Sequence, residues 1–286
     1  MYKTIVVDID GSEPQGSRLA AAALLANEHG AHLIGSAATG VSWMEYAVLT
    51  GSMGLPIPYP TAQFEEFRNI AAARLEQFSH GVAQLGVSSF ETRLIEDNVR
   101  NALLLQSRYA DLVVLSQDGK ASPGDPEPAV AAGVHRLPEY VAMHGPRPVL
   151  VVPESYHNEP IPGTAVVGWD GGMAAIRAIA AALPLLRRAE SVKLAVINPD
   201  ELSDLHGEQP GADMALYLAR QNVRVDVVVE RTAAAAGDAL ISLAAAYGAG
   251  LMVAGVYGHS RYREWVVGGV TRELLKRARV PLLVAH

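Results

Sequence analysis

The sequence TIVVDIDG at residues 4–11 recurs as TAVVGWDG at residues 164–171. Two further apolar segments recur in the same order: DLVVLS at 111–116 returns as GLMVAG at 250–255, and PVLVV at 148–152 returns as PLLVA at 281–285. Three matched segments in one order indicate a duplicated domain rather than chance similarity between apolar runs.

The duplication divides the chain into two domains. We expect a first domain at 1–153, a linker at 154–163 and a second domain at 164–286, because the stretch from Pro153 to Gly163 is polar and holds three prolines. The second copy is shorter than the first. Most of the difference is expected opposite residues 41–62, where the first copy has an additional loop rich in proline and glycine.

Each copy alternates short apolar runs with longer helical stretches. Runs rich in Val, Ile and Leu are typical of strands buried on both faces, and their alternation with helices predicts right-handed βαβ units. The sequence thus predicts an α/β fold with two tandem Rossmann-like domains, each a five-stranded parallel sheet flanked by helices. Its strands are expected at 3–8, 31–37, 91–95, 111–116, 148–152, 164–169, 192–197, 224–229, 250–255 and 281–285.

Two features predict helices in the first copy. Gly30 follows a helical stretch as a stop signal. Apolar residues spaced by threes and fours then form one helical stripe, which is predicted to be core rather than a stacking platform: Phe64, Phe67, Ala71, Leu75, Phe78 and Val82.

Composition excludes several classes of protein. The net charge of −7 argues against binding to nucleic acid, and the absence of cysteine excludes disulfides, cysteine-type metal sites and thiol nucleophiles. Two early acidic residues and the lack of a long apolar run predict no signal peptide and no membrane span, hence a cytoplasmic protein. The Walker phosphate loop, the serine nucleophile elbow and the paired-histidine zinc motif are all missing.

A glycine-rich segment of the second copy has features of a phosphate site. Gly255 ends a predicted strand, Gly258 follows after two residues, and Gly268 and Gly269 follow nine residues later, before a helix predicted from Val270. Glycines allow close approach of the backbone to a ligand, and free N–H groups at a helix N-terminus favour phosphate.

Side chains near this segment add polar groups. Thr271 offers a hydroxyl, and His259, Arg261 and Arg263 form a cationic cluster in an acidic protein. His259 directly follows Gly258 and is expected to donate a hydrogen bond to phosphate. The alternative is a turn-rich loop whose arginines are simply solvated.

The spacing resembles that of the universal stress protein family, whose nucleotide-binding members have Gly-x2-Gly-x9-Gly-(Ser/Thr) after the fourth strand and an aspartate after the first. The chain looks like a tandem member whose domains are of the adenine nucleotide alpha hydrolase-like type. The resemblance implies that Asp170 contacts the ribose or adenine and that Ile197 lines the adenine pocket. It also implies that phosphates are bound by the backbone of Gly255, Gly258, Gly268, Gly269 and Val270. Gly269 departs from the family pattern of Ser or Thr, and Thr271 is the hypothetical substitute for that hydroxyl.

The first copy retains Asp10 but lacks the phosphate loop. Ser116 replaces the first glycine, Ala129 stands where the third is expected, and acidic residues and prolines lie between 118 and 128. Carboxylates would repel a triphosphate and prolines offer no N–H. The first domain is therefore predicted to bind no ATP. Asp10 is interpreted as a turn or cap residue, and binding of another small ligand or a role in dimerisation stays open.

The leading hypothesis is a stress-response protein that binds ATP in the second domain and acts as a sensor or regulator. Mg²⁺ on the phosphates is an open addition, and no catalytic residue is assigned because no base to activate water is evident, so any ATPase activity is expected to be slow. The alternatives are a partner-binding or small-ligand-binding protein with a vestigial site, and a nucleotide-dependent enzyme of the same architecture. By the same resemblance, the last strands of the two copies are expected to pair within the chain as a pseudo-dimer, which leaves further homodimerisation open.

Overall fold

The computed structural model describes residues 1–51, 62–117, 136–200, 209–256 and 269–286. In the first half the elements are, in order, β1 (Thr4–Asp8), α1 (Gln15–His29), β2 (His32–Ala38), α2 (Trp43–Gly51), α3 (Ala62–Gln84), β3 (Phe90–Ile95), α4 (Val99–Ser107), β4 (Leu112–Ser116), α5 (Leu137–His144) and β5 (Val149–Val152). In the second half they are β6 (Thr164–Gly168), α6 (Met173–Leu186), β7 (Ser191–Ile197), α7 (Ala212–Arg220), β8 (Val225–Glu230), α8 (Ala236–Ala246), β9 (Ala249–Gly255), α9 (Gly269–Arg277) and β10 (Leu282–Ala285). Each described strand begins and ends within one residue of its predicted position.

The strands form one continuous sheet in the order β3-β2-β1-β4-β5-β10-β9-β6-β7-β8. All pairs within each half are parallel, as the fold prediction requires. The halves meet where β5 and β10 pair antiparallel, with Val149 opposite Val284, Leu150 opposite Leu283 and Val151 opposite Leu282. The expected pairing of the last strands within one chain is thereby confirmed.

Helices cover both faces of the sheet, and this explains the unbroken apolar runs in the strands. Ile5 and Val7 of β1 point into the hydrophobic core on one face, while Val6 between them points into the core on the other. Side chains alternate along a strand, so a run that is apolar at every position fits a sheet covered on both sides. Alanine-rich α1 and α6 pack in the first of these cores.

Two predictions for the first half need correction. The region 41–62 is not simply a loop, because α2 occupies part of it: the Ser42 hydroxyl accepts from the Glu45 amide, and the Glu45 carboxylate accepts from the Ser42 amide. This reciprocal capping box stabilises a helix start that the sequence interpretation overlooked. In α3, Phe64 and Phe78 are buried as predicted, but Phe67 is half-buried and lines a cavity.

The segment between the halves packs against the second half. Tyr156 and Ile161 are buried, and the carbonyl oxygens of Pro160 and Pro162 lie 2.4 and 2.7 Å from where a Cβ on Gly250 would be. Only a glycine at that position allows the approach. This packing holds the segment against the start of β9, and the exact domain limits stay a prediction.

Candidate functional site

The predicted site lies at the carboxyl ends of β6 and β9. These strands are neighbours, and β6 pairs with β7 on its other side, so the connections that leave β6 and β9 diverge at this point. In open parallel sheets, ligands bind in the crevice at such a switch point. Asp170 follows β6, and Gly255 ends β9.

Asp170 is positioned by a tight turn. Its Oδ1 accepts a hydrogen bond from the Gly172 amide at 2.8 Å, and Gly171 has a φ of 76°, in the left-handed region that favours glycine. The turn leads into α6 and leaves the Asp170 side chain exposed. A carboxylate held in this way can accept hydrogen bonds from the hydroxyl groups of a ligand.

Gly255 is required by packing. A Cβ at this position would lie 2.6 Å from the backbone carbon of Ala174 and 2.6 Å from the amide nitrogen of Ala175, both at the start of α6. Gly269, by contrast, has open space where a Cβ would be. The sequence interpretation assigned both glycines to one phosphate loop, but Gly255 also has a structural role that Gly269 lacks.

The predicted hydroxyl group lies inside the fold. Thr271 is buried, and its Oγ1 donates to the Gly255 carbonyl at 3.4 Å, which joins α9 to the end of β9. Val270 beside it is exposed. Thr271 thus holds the start of α9 against the strand end, and its proposed contact with phosphate stays a prediction.

The remaining predicted residues divide into two groups. Ile197 ends β7 half-buried against the core, next to Asn198, whose Oδ1 accepts from the Thr232 amide at 2.9 Å. Gly258, His259 and Gly268 lie outside the described residues, as do Arg261 and Arg263. The structure therefore brings Asp170, Gly255 and the start of α9 to one edge of the sheet.

The equivalent position in the first half is built differently. Arg18 of α1 is buried, donates to Asp10 Oδ1 at 2.6 Å and donates to Ser116 Oγ at 2.9 Å. Ser116 stands where the second half has Gly255, and the residue 160 positions after Arg18 is Ala178. The interpretation of Asp10 as a turn residue is confirmed, because its Oδ1 also accepts from the Ser12 amide at 2.9 Å.

Sequence reasoning missed Arg18, although the sequence contained a signal for it. Arg18 lies three and four residues before Ala21 and Ala22 on the buried face of α1. A charge on the apolar face of a helix needs a buried partner, and Asp10, in the turn before α1, is an acidic residue close to it in the sequence.

Asp8, which ends β1, and Asp10, which follows it, have opposite pKa shifts. Burial raises the pKa of Asp8 to about 7, and the Asp10 charge adds to this, although Arg18 and Arg74 act in the other direction. Burial also acts to raise the pKa of Asp10. The charge and hydrogen bond of Arg18, together with the Ser12 amide and hydroxyl, outweigh it and hold that pKa below its usual value.

A cavity of about 1150 Å³ lies at the carboxyl edge of the first half. The ends of β1 and β2, helices α2 and α3, and the starts of α4 and α5 line it. Sequence reasoning left open whether the first domain holds a ligand, and the cavity adds a candidate site there.

Within the described ranges, no group of three or more His, Asp or Glu side chains is placed to hold a metal ion. None of the helices in those ranges is both long and apolar enough to cross a membrane.

Two five-stranded parallel halves, joined in one sheet and covered by helices on both faces, define a tandem Rossmann-like protein. The model of the universal stress protein family matches residues 164–286, which form the second half of the chain. No curated protein sequence matches the chain.

Solved structures match nearly the whole chain. A universal stress protein from Archaeoglobus fulgidus is 15% identical, with a TM-score of 0.69 over 99% of this chain and 97% of its own. A protein described as a putative universal stress protein from Pseudomonas aeruginosa is 16% identical, with a TM-score of 0.60 over 99% and 93%. At these identities the likeness establishes the fold alone, and it extends the tandem arrangement to the first half.

Proposed function

We propose that this chain is a cytoplasmic stress-response regulator that binds ATP in its second domain and hydrolyses it slowly if at all. The observation that supports this most directly is the position of Asp170 and Gly255 on the two strands that flank the switch point of the half matched by the family model. An exposed carboxylate that can accept hydrogen bonds from ribose hydroxyls, at the carboxyl edge of a parallel sheet, is suited to a nucleotide.

The second half also suits ATP better than the first. The Asp170 carboxylate is exposed, and the strand end beside it is a glycine. In the first half, the Asp10 carboxylate is already bound by Arg18, and a serine hydroxyl stands at the strand end. The exposed Asp170 carboxylate therefore supports the second half as the site for a ligand that carries hydroxyl groups.

The first experiment measures the nucleotide released by denaturing protein purified without added ligand. A melting titration with ATP, with and without Mg²⁺, then follows. At an ATP concentration 100 times the dissociation constant, binding should stabilise the protein by roughly 2.7 kcal/mol. Near one ATP per chain supports the proposal. No bound nucleotide together with no shift in melting temperature contradicts it and favours a vestigial site.

Variants locate the site. Asp170→Ala should weaken ATP binding by about tenfold or more, because a hydrogen bond to a charged group is lost. Gly258→Asp should abolish binding through repulsion of the phosphates. Asp226→Ala is the matched control, because Asp226 is an exposed aspartate of the same half that lies near the amino end of β8 and pairs with Lys193. Equal binding by Asp170→Ala and the control would remove Asp170 from the site.

A nucleotide-dependent enzyme is the second candidate function. Release of phosphate or pyrophosphate that rises when an acceptor substrate is added would favour it over a regulator. The regulator predicts that bound ATP stays intact over many minutes, whether or not an acceptor is present.

A further inference from the structure

The cavity of the first half has a lining of two distinct kinds. Its outer wall comes from α2 and α3, where Met44, Val48 and Ile70 are large apolar residues with exposed fractions of 72%, 63% and 43%. Phe67 lies on the same wall. Large apolar side chains exposed together around one cavity are typical of a binding site for an apolar group.

The inner end of the cavity carries positive charge. The Arg74 side chain lies against the turn after β1, where its Nε is 2.8 Å from the position that a Cβ on Gly11 would take. Glycine at position 11, with a φ of 75°, leaves room for this guanidinium. Among the described residues, no hydrogen bond or ion pair takes up the Arg74 donors, so they are available to a ligand in the cavity.

A helix start adds to this positive end. Helix α4 begins at the cavity wall with Val99 and Arg100, and Asn98 caps it by accepting from the Asn101 amide at 2.9 Å. The N-terminus of a helix favours a negative group. The Arg100 guanidinium lies 4.6 Å from the centre of the Tyr140 ring, which also lines the cavity.

The acidic residues of the lining are already engaged. Asp10 is paired with Arg18, and the Glu45 carboxylate caps α2 through the Ser42 amide. Asp8 is 3% exposed. The groups left to meet a ligand are therefore cationic at one end and apolar along the other.

We propose that this cavity binds an amphipathic organic acid, with its carboxylate at Arg74 and the start of α4 and its apolar body against α2 and α3. A guanidinium recognises a carboxylate through two parallel hydrogen bonds, which suits a single acidic group. The volume of about 1150 Å³ lies near the upper end for a small-molecule pocket, so a long apolar chain fits better than a small acid. This ligand is distinct from the nucleotide proposed for the second half.

Calorimetric titration of the full chain with three molecules of one chain length tests the headgroup. Dodecanoate and dodecyltrimethylammonium are used below their critical micelle concentrations, and dodecanol is used below its solubility limit. Dodecanoate should bind with a stoichiometry of one and about tenfold or more tighter than dodecanol, because it alone accepts charged hydrogen bonds from Arg74. The cationic molecule should bind weakest. Equal binding of all three, or no binding of dodecanoate, overturns the proposal.

Three variants separate the two ends of the cavity. Arg74→Met replaces the guanidinium by an apolar side chain of similar length and should lower the affinity for dodecanoate to that for dodecanol. Ile70→Asp should lower the affinity for both molecules, because it places a charge on the apolar wall. Arg108→Met, an exposed arginine outside the cavity lining, is the matched control and should change neither affinity.

Further outcomes separate this proposal from the proposed function. If Arg74→Met abolishes ATP binding, the nucleotide lies in the first half, and both proposals fail. If Arg74→Met leaves the preference for dodecanoate unchanged, the acid binds elsewhere, and only this proposal fails. Thermal melting of each variant confirms that it is folded before it is titrated.

Discussion

Substitution of Gly255 by alanine is the sharpest test of how the second half positions its site. The new Cβ would lie 2.6 Å from the backbone of Ala174 and of Ala175, where nonbonded carbons need about 3.5 Å. Both neighbours are backbone atoms at the start of α6, so no flexible side chain can move aside. The helix start must shift by about 1 Å, and overpacking of this kind costs about 3 kcal/mol.

The free energy of unfolding, measured by urea denaturation, checks this expectation. Gly269→Ala is the control, because it adds the same methyl group within the same predicted loop but into open space. It should cost nothing and can stabilise α9 by up to about 1 kcal/mol, since alanine loses less backbone freedom than glycine. If the two variants have the same unfolding free energy, the close contact between β9 and α6 does not exist as described.

Three other predictions concern stability. Asp8 has its pKa raised from 3.8 to about 7 by burial, with Asp10 adding and Arg18 opposing. The folded state therefore holds a proton that the unfolded state releases, and the free energy of unfolding falls as the pH rises from about 4 to about 7. In Asp8→Asn, the fall in the free energy of unfolding between these two pH values should be smaller by up to about 4 kcal/mol, as measured by urea denaturation at each pH. A fall as large as in the unsubstituted protein would refute the raised pKa of Asp8. Arg18→Met leaves Asp10 without its cation and should cost about 3 kcal/mol. Arg68→Met removes the exposed ion pair between Arg68 and Glu96 and should cost less than about 1 kcal/mol. Similar costs would mean that burial of the Arg18 pair is unimportant. Leu283→Ala removes a fully buried side chain where β10 meets β5 and should cost about 2–5 kcal/mol by thermal or urea unfolding, and a smaller loss would show that this junction adds little to stability.

The architecture could be predicted from the sequence because it depends on patterns that repeat. The segments 4–11 and 164–171 share their apolar run and their Asp-Gly pair, and strands buried on both faces are apolar at every position. Such runs can be recognised in the sequence without knowing which side chains are in contact, so the ends of the strands were predicted to within one residue. The pairing of the last strands came from the family resemblance rather than from the runs themselves.

The errors arose where one residue has a partner distant in sequence. Arg18 contacts Ser116, 98 residues away, and nothing local in the sequence marks that contact. Phe67 has the spacing of a core residue but lines a cavity. Helical periodicity indicates which residues share one face of a helix, but not whether that face contacts the core or a cavity. Helix α2 was missed for a different reason: its capping signal, Ser42 to Glu45, was obscured by the prolines and glycines that follow it.

The antiparallel junction between β5 and β10 has a consequence for how the two halves can evolve. Because each half is parallel within itself, the carboxyl edges of the two halves face opposite ends of the sheet. A dimer of identical chains would have the same two pockets, but every substitution would change both of them. Here one chain encodes each pocket separately, so Arg18 and Ser116 can alter one pocket while Ala178 and Gly255 preserve the other. Fusion has thus released the molecule from the symmetry of its architecture, and each half can change without changing the other.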